Sequence, residues 1–260
     1  MALIIGGHPR SGTTILNILC QRHPGMVLTG EFRTFLQLDV PYLAYIRSIR
    51  KDWYRRGILS HSGRNAPLDA KLTSARFLAM YMLRLRFCGQ RVIGYEQVVS
   101  TLHKMFPSAQ LVGDKYPRYI FSIDRLVRIP GLKRVIIYRD ARDVVSSYLR
   151  MARTVWRNDR FILENRPTAR KTAHAWVKAI SLMEQHAGQL HAIRYETFVE
   201  SPRQELDRLA AYLDVAPEGF KARRVVATKI GGHRTGLTPD EIADVLQVAG
   251  PTMEHLGYSL

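Results

Sequence analysis

Residues 2–22, ALIIGGHPRSGTTILNILCQR, limit the fold more than any other stretch of the chain. The run ALII at 2–5 is short, apolar and unalternating, the pattern of a strand covered on both faces. It feeds a glycine-rich turn, and the turn feeds a helical pattern over 13–22 with Ile15, Leu16, Ile18 and Leu19 on its apolar side. The amides of such a turn and the N-terminus of the helix behind it converge on one spot and cradle anions. The turn almost spells the phosphate loop G-x-x-x-x-G-K-[ST]. Gly7 and Gly12 keep its spacing and Thr14 supplies its hydroxyl, but Thr13 stands where the lysine belongs and the cation has moved back to Arg10. Without the ammonium that grips a γ-phosphate, the loop suits a shorter, less charged 5′ anion with no metal needed.

Strand-like runs recur down the chain: RVI (91–93), QLV (110–112), RVIIY (134–138) and HAIRY (191–195). Between them, helical periodicity runs over 74–87, 140–153, 169–186 and 202–213, the last opening on Ser201 as N-cap and Pro202 at the first helical position. This alternation predicts an α/β fold, an open phosphate-loop-type sheet of about five mainly parallel strands flanked by helices. In such sheets ligands bind beyond the carboxyl ends of the strands. Basic and hydroxyl residues gather at those ends here, in GGHPRSGTT, GDKYPRY, RDARDVVSS and ETF.

At 260 residues the chain fits a single domain. Its 39 Lys and Arg against 22 Asp and Glu give a net charge of +17, which favours an anionic partner or simply a solvated basic surface. No apolar run approaches the roughly 20 residues of a membrane span, and ALII is too short for a secretory signal. Cys20 and Cys88 form no C-x-x-C pair, so neither a zinc site nor a disulfide framework is indicated and a reduced, cytoplasmic setting is expected. Cys20 falls in an apolar pattern and reads as a core filler rather than a nucleophile. Residues 36–90 and 150–172 carry few strand signals and read as cover over the sheet edge, an acceptor-site wall or lid, or as helices packed for stability alone. The stretches 58–70 and 157–171 read as loops.

The turns also carry the chemistry. Thr13 and Thr14 add hydroxyl donors to the amides of the first loop, and the planar fork of Arg10 suits a tetrahedral oxyanion. Arg139 stands at a strand end with Ser146 and Ser147 in the following helix, a relation that can clamp a second phosphate. Asp140 and Asp143 could instead draw the neighbouring arginines into ion pairs. No lone acid closes a strand as a magnesium ligand would, although Asp114 and Asp140 stand near enough to keep that route open.

GHPRSGTTIL together with VIIYRDARDVVSSYL resembles the sulfotransferases that use 3′-phosphoadenosine 5′-phosphosulfate (PAPS). The likeness extends over most of the chain and implies a single sulfotransferase domain, 1–260. In that family the first motif binds the 5′-phosphosulfate and the second the 3′-phosphate. The resemblance thus assigns Arg10, Ser11, Gly12, Thr13 and Thr14 to the former and Arg139 with Ser147 to the latter. PAPS would be the co-substrate, 3′,5′-adenosine bisphosphate (PAP) the product, and no metal is implied. Its roughly four negative charges would also give the basic surplus a use.

PRSGTT followed by RHPGMVLTGEFR is similar to the protein-tyrosine sulfotransferase branch and its bacterial relatives. That likeness puts the catalytic base on Glu31, with the branch's arginine at Arg33, its catalytic lysine at Lys115 of GDKYP, and its nucleotide-contacting tyrosine at Tyr195. MEHLGY (253–258) resembles the closing helix. The chain departs from the branch in having Gly30-Glu31 where the branch has two glutamates. The loop expected to cover adenine, TKIGGHRTGL (228–237), matches poorly, with Lys229, His233 and Arg234 as its cations.

The expected reaction is in-line sulfuryl transfer, governed by positioning and electrostatics. Glu31 would take the acceptor hydroxyl's proton, while Lys115 and Arg10 neutralise charge on the bridging and sulfuryl oxygens. The competing role for Glu31 is a shaping salt bridge to Arg33 or Arg10, and His8 and His103 are alternative bases. The acceptor is expected to be a small-molecule hydroxyl of a natural product or saccharide, with the aromatics at 42–54 suiting an aryl body. Two rival functions stand beside this one. The chain could be a phosphate-loop small-molecule kinase, or a basic nucleic-acid binder using Tyr42, Tyr45, Trp53 and Tyr54 beside Arg47, Arg50 and Arg55.

Overall fold

Alternate residues of a strand face opposite sides of its sheet, so a strand that is apolar throughout needs a layer on each side. The first strand meets that condition: Ala2 and Ile4 enter one hydrophobic core, and Leu3 and Ile5 enter another. A computed structural model of the chain describes residues 1–60, 75–87, 91–222 and 230–260. Its strands in chain order are β1 (Ala2–Gly6), β2 (Met26–Gly30), β3 (Val40–Pro41), β4 (Val92–Ile93), β5 (Leu111–Lys115), β6 (Leu132–Tyr138) and β7 (His191–Arg194). The main sheet has the order β2-β5-β1-β6-β7 and every pairing in it is parallel.

The helices are α1 (Thr13–Gln21), α2 (Tyr42–Ser60), α3 (Ala75–Arg86), α4 (Tyr95–Met105), α5 (Ile123–Leu126) and α6 (Ala141–Arg153). They continue with α7 (Arg160–Asn165), α8 (Ala169–Gln185), α9 (Tyr195–Glu200), α10 (Pro202–Leu213), α11 (His233–Gly236) and α12 (Pro239–His255). One face of the sheet is covered by α1, α9 and α10 through Leu16, Leu19, Phe198, Leu206 and Leu209. The other carries a larger core, to which α4, α6, α8 and α12 bring Leu102, Val144, Trp176, Ile180 and Met253. Each such side chain contributes about 1.5–3 kcal/mol on burial, so the two layers hold the central strands in register.

The expected five-stranded parallel architecture is present, with two changes in its membership. Residues 91–93, expected as a strand of that sheet, form β4, which pairs antiparallel with β3 in a separate two-stranded sheet. The edge position belongs to β2, MVLTG, which had not been read as a strand. The expected loop at 157–171 contains α7 and the start of α8, while most of the 58–70 stretch lies outside the described residues. Cys20 is buried among apolar residues, which push its thiol up to about 12, as a core filler would be. Cys88 lies outside the described residues. Among the described residues no helix is long and apolar enough to cross a membrane.

A candidate active site at the carboxyl ends of the strands

All five strands of the main sheet run the same way, so the turns that leave β1, β2, β5, β6 and β7 open at one edge. The turn after β1 is shaped by three residues with positive φ: Gly7 (150°), Arg10 (79°) and Gly12 (107°). A Cβ on Gly7 would lie 2.2 Å from the Ile137 carbonyl oxygen, and one on Gly12 would lie 2.6 Å from Cδ2 of Tyr195. Both glycines thus allow close approach as well as the turn. Gly12 is the N-cap of α1 and offers no side-chain cap, so the first amides of that helix face the edge without an intrahelical acceptor. Arg10 has no glycine's freedom, and holding it in the left-handed region costs about 1–3 kcal/mol. The conformation aims its guanidinium across the site, where Nε donates to Ser147 Oγ at 3.0 Å. Burial lowers its pKa, and Arg150 and Arg139 nearby lower it further.

β2 and β5 end side by side, Gly30 opposite Lys115. The Glu31 amide donates to the Lys115 carbonyl at 2.6 Å, and the Lys115 ammonium donates to Glu31 Oε1 at 2.5 Å. The lysine side chain is 5% exposed and the glutamate 45%, so the pair presents its carboxylate to the cavity and keeps its cation inside. Glu31 and Arg33 both have positive φ, 64° and 54°. Arg33 turns away from Glu31 and makes a bidentate pair with buried Asp52 of α2, at 2.6 and 2.8 Å. Lys115 is thus a cationic partner of Glu31, while Arg33 is engaged with Asp52.

The turn after β6 carries Arg139, whose Nη2 donates to Asp143 Oδ2 at 2.8 Å one helical turn on. Its guanidinium lies 4.6 Å from the ring centroid of Tyr195, the residue that opens α9 after β7. Trp176 of α8 fixes the backbone by donating to the Arg139 carbonyl at 2.9 Å. Asp143 also accepts from the Gly231 amide, the His233 amide and His233 Nδ1, at 2.8–2.9 Å. Burial pulls its pKa up, but the bonds from His233 and Arg139 outweigh that and hold the carboxyl below its ordinary value.

These elements enclose a cavity of about 850 Å³. Of the residues expected at a site, Arg10, Gly12, Thr13, Thr14, Glu31, Arg139, Ser147 and Tyr195 line it. Lys115 reaches it through Glu31. Ser11 is different: its amide closes the turn onto the His8 carbonyl, and its buried hydroxyl lacks a hydrogen-bond partner. That side chain lies against a small void on the far side of the loop, beside Trp176. Lys229 lies outside the described residues. Ser146 packs beneath α11, while Ser147, the next residue, turns inward.

The alternative histidine bases fare differently from Glu31. His8 is buried behind the loop and donates toward the Pro9 carbonyl, its pKa drawn down to about 4 chiefly by burial. His103 interacts with the chain's amino-terminus and the Ala109 carbonyl and lies outside the cavity wall. Asp114 accepts from Thr29, the Phe32 amide and Tyr119. Asp140 caps α6 and pairs with Arg142. Both acids reserved as magnesium ligands are thus committed to holding turns. Among the described residues no group of three or more His, Cys, Asp or Glu is placed to hold a metal ion.

The remaining wall was not anticipated residue by residue. Tyr148, Trp156, Phe161 and Ile162 line the cavity together with Tyr116 and Arg118. Trp156, Phe161 and Ile162 fall inside the 150–172 excursion. The described residues of 36–90 supply none of the lining, and Tyr45, Phe77 and Tyr81 are instead buried in the larger core. Tyr45, one of the aromatics expected to suit an aryl acceptor, thus packs inside, and Tyr42 donates to the Met82 carbonyl.

No curated protein matches the chain. Among solved structures, the sulfotransferase domain of the Synechococcus PCC 7002 olefin synthase aligns with a TM-score of 0.60 at 17% identity, covering 100% of this chain and 95% of that one. The sulfotransferase domain of the curacin biosynthetic pathway aligns at 0.59 and 18% identity, covering 100% and 98%. The mouse sulfotransferase SULT7A1 complexed with PAP aligns at 0.50 and 12% identity, covering 97% and 84%. At these identities the likeness is one of fold. The model of the sulfotransferase family matches residues 2–218, most of the chain, including β1 through α10 and every cavity-lining residue described above. The chain belongs to the sulfotransferase family.

Proposed function

We propose that this sulfotransferase moves a sulfuryl group from PAPS to the hydroxyl of a small-molecule acceptor, with Glu31 as general base. The observation that carries this reading is convergence within one cavity. An anion loop whose Arg10 reaches Ser147, a carboxylate braced by a buried ammonium, and Arg139 from the next turn all face the same 850 Å³ space. The donor set fits a nucleotide with phosphates at both ends. Gly12, Thr13 and Thr14 offer amides and hydroxyls at the start of α1. Arg139 and Ser147 lie on the next turn along the edge. Ile15 and Ile18 of α1 line the same cavity as Tyr195 and supply apolar surface suited to a purine.

In the proposed reaction PAPS supplies the activated sulfuryl group, and the chain's residues position it and move one proton. Glu31 accepts the acceptor's hydroxyl proton as the oxygen attacks. Lys115 has three donors, so it can hold Glu31 and still direct a proton toward the leaving bridging oxygen. Arg10, held on Ser147, faces the charge that spreads over the transferring oxygens. The aromatic wall of Tyr148, Trp156 and Phe161 excludes water and receives the acceptor.

Three further assignments belong to the same reading. The resemblance of PRSGTT, Glu31 and Arg33 supports a position near the protein-tyrosine sulfotransferase-like branch and its bacterial relatives. Residues 1–260 act as one domain, with 150–172 as the acceptor-side wall and 36–90 as outer cover. A cytoplasmic setting suits the reduced, buried Cys20.

Titration calorimetry with PAP, beside ATP with magnesium and 5′-AMP, tests the donor assignment. The expected result is micromolar binding of PAP, weakened about tenfold or more by Arg139→Ala, and none for AMP. Binding of ATP with magnesium in preference to PAP would move the site to the kinase reading.

A further inference from the structure

Beside the main cavity a second one of about 290 Å³ opens on the acceptor side, away from the nucleotide residues. The two share Pro9, Arg118, Tyr148 and Phe161, so the wall between them is one layer of side chains. That wall is aromatic and the far chamber is cationic. The guanidinium of Arg118 lies between two rings, 5.3 Å from the centroid of Phe121 and 5.6 Å from that of Phe161. Lys171, from the first turn of α8, lines the same chamber and donates to the Asn165 carbonyl at 3.2 Å.

Among the described residues, neither cation has a carboxylate within salt-bridge distance, whereas Arg33, Arg139, Arg142 and Arg160 each pair with one. The acids of the neighbouring 159–165 segment are already engaged. Asp159 accepts from the Phe161 amide as the cap of α7, and Glu164 pairs with Arg160. His8, the histidine in the chamber's lining, is buried with its pKa drawn down to about 4 and contributes no charge at neutral pH. Both side chains are exposed, and arginine stacked on rings keeps its hydrogen-bonding edge free, so an oxyanion entering the recess can meet both cations.

We propose that this side chamber is an acceptor subsite for an oxyanion, so that the preferred acceptor is a hydroxylated aryl or apolar compound carrying a carboxylate or phosphate at its far end. The inference rests on the sulfotransferase reading for the identity of the hydroxyl end. The acceptor lies along the shared aromatic wall, with its hydroxyl at Glu31 and its anionic end between Arg118 and Lys171. A neutral acceptor of the same length offers neither cation an anionic partner.

Binding to the full-length protein, with and without saturating PAP, tests the subsite without requiring turnover. The probes are hydroxyphenyl-alkanoates of increasing chain length, their methyl esters, and hydroxyphenylethyl phosphate. At one chain length the acid should bind about tenfold or more tightly than its ester, and the phosphate arm decides which oxyanion is preferred. The preference should fall to near unity in Arg118→Met combined with Lys171→Met, while PAP affinity and Tm stay close to wild type. Equal binding of acids and esters across the series overturns the inference, as does no binding of either, or a preference that survives the double variant. Failure of wild-type protein to bind PAP would instead count against the donor assignment, and the acid–ester comparison without nucleotide would still decide the subsite.

Discussion

Gly12→Ala probes the cofactor edge without any knowledge of the acceptor. Gly12 has φ 107°, where an L side chain is strained by about 1–2 kcal/mol. Its new methyl would lie 2.6 Å from Cδ2 and 3.1 Å from Cε2 of Tyr195, and 3.1 Å from Cδ1 of Ile137. Tyr195 cannot step back easily, because it is 5% exposed and the Arg139 guanidinium lies 4.6 Å from its ring. Overpacking of this kind costs about 1–3 kcal/mol. The reduced freedom of the unfolded chain returns about 0.4–1 kcal/mol, leaving a net loss of roughly 1–5 kcal/mol, centred near 3. For a chain of this size that is a fall in Tm of about 2–18 °C. Urea denaturation should show a lower midpoint with an unchanged slope, and calorimetry should show weakened PAP binding as Tyr195 is displaced. Gly188→Ala is the matched control, since nothing lies within 4 Å of its new methyl. If Gly12→Ala unfolds within about 1 kcal/mol of wild type and binds PAP normally, the close packing of loop, tyrosine and arginine is not what holds this edge.

Three other perturbations separate catalysis from structure. Glu31→Gln should lower turnover about 100- to 10,000-fold with PAP affinity little changed, measured with any acceptor that turns over; near-wild-type turnover would remove Glu31 as the base. Asp143→Ala removes the carboxylate that joins Arg139 to Gly231 and His233, and should cost about 3–5 kcal/mol in denaturation and weaken PAP binding as well. Normal PAP binding in that variant would mean that Arg139 does not rely on Asp143 for its placement. His8 has its pKa lowered from 6.5 to about 4, so between those values the unfolded chain binds the proton and the folded one does not. Its stabilising contribution is full above pH 6.5 and lost as the pH falls toward 4, by about 3 kcal/mol, a slope that His8→Gln should abolish.

The strand-end chemistry was legible because a parallel sheet brings the ends of distant strands together by geometry alone. GGHPRSGTT, GDKYP and RDARDVVSS could thus be placed at one edge before any contact was known. Two kinds of information were not local. A short apolar run does not say which strand it will join: RVI at 91–93 pairs with Val40–Pro41 outside the main sheet, while MVLTG fills the edge beside β5. Side-chain partners far apart in the chain were equally hidden. Arg10 meets Ser147, and Asp143 gathers Gly231 and His233, across separations that no spacing rule spans. The Arg139–Asp143 pair is the exception, since its i, i+4 spacing on a helix was visible in RDARD. The aromatic wall stayed unread because 150–172 lacks periodicity, and its role comes only from folding back over the loop.

The pairing of Gly30 with Lys115 has an evolutionary consequence. The carboxylate and the ammonium stand at the end of a hydrogen-bonded ladder, so their spacing is set by the distance between neighbouring strands and not by a loop. A single-residue insertion or deletion in β2 would swing Glu31 to the opposite side of the sheet. Indels there should therefore be purged, while the segments that form the aromatic wall can lengthen, shorten and diversify. Reaction chemistry and acceptor choice are thus separately heritable in this architecture, one locked by strand register and the other free to drift.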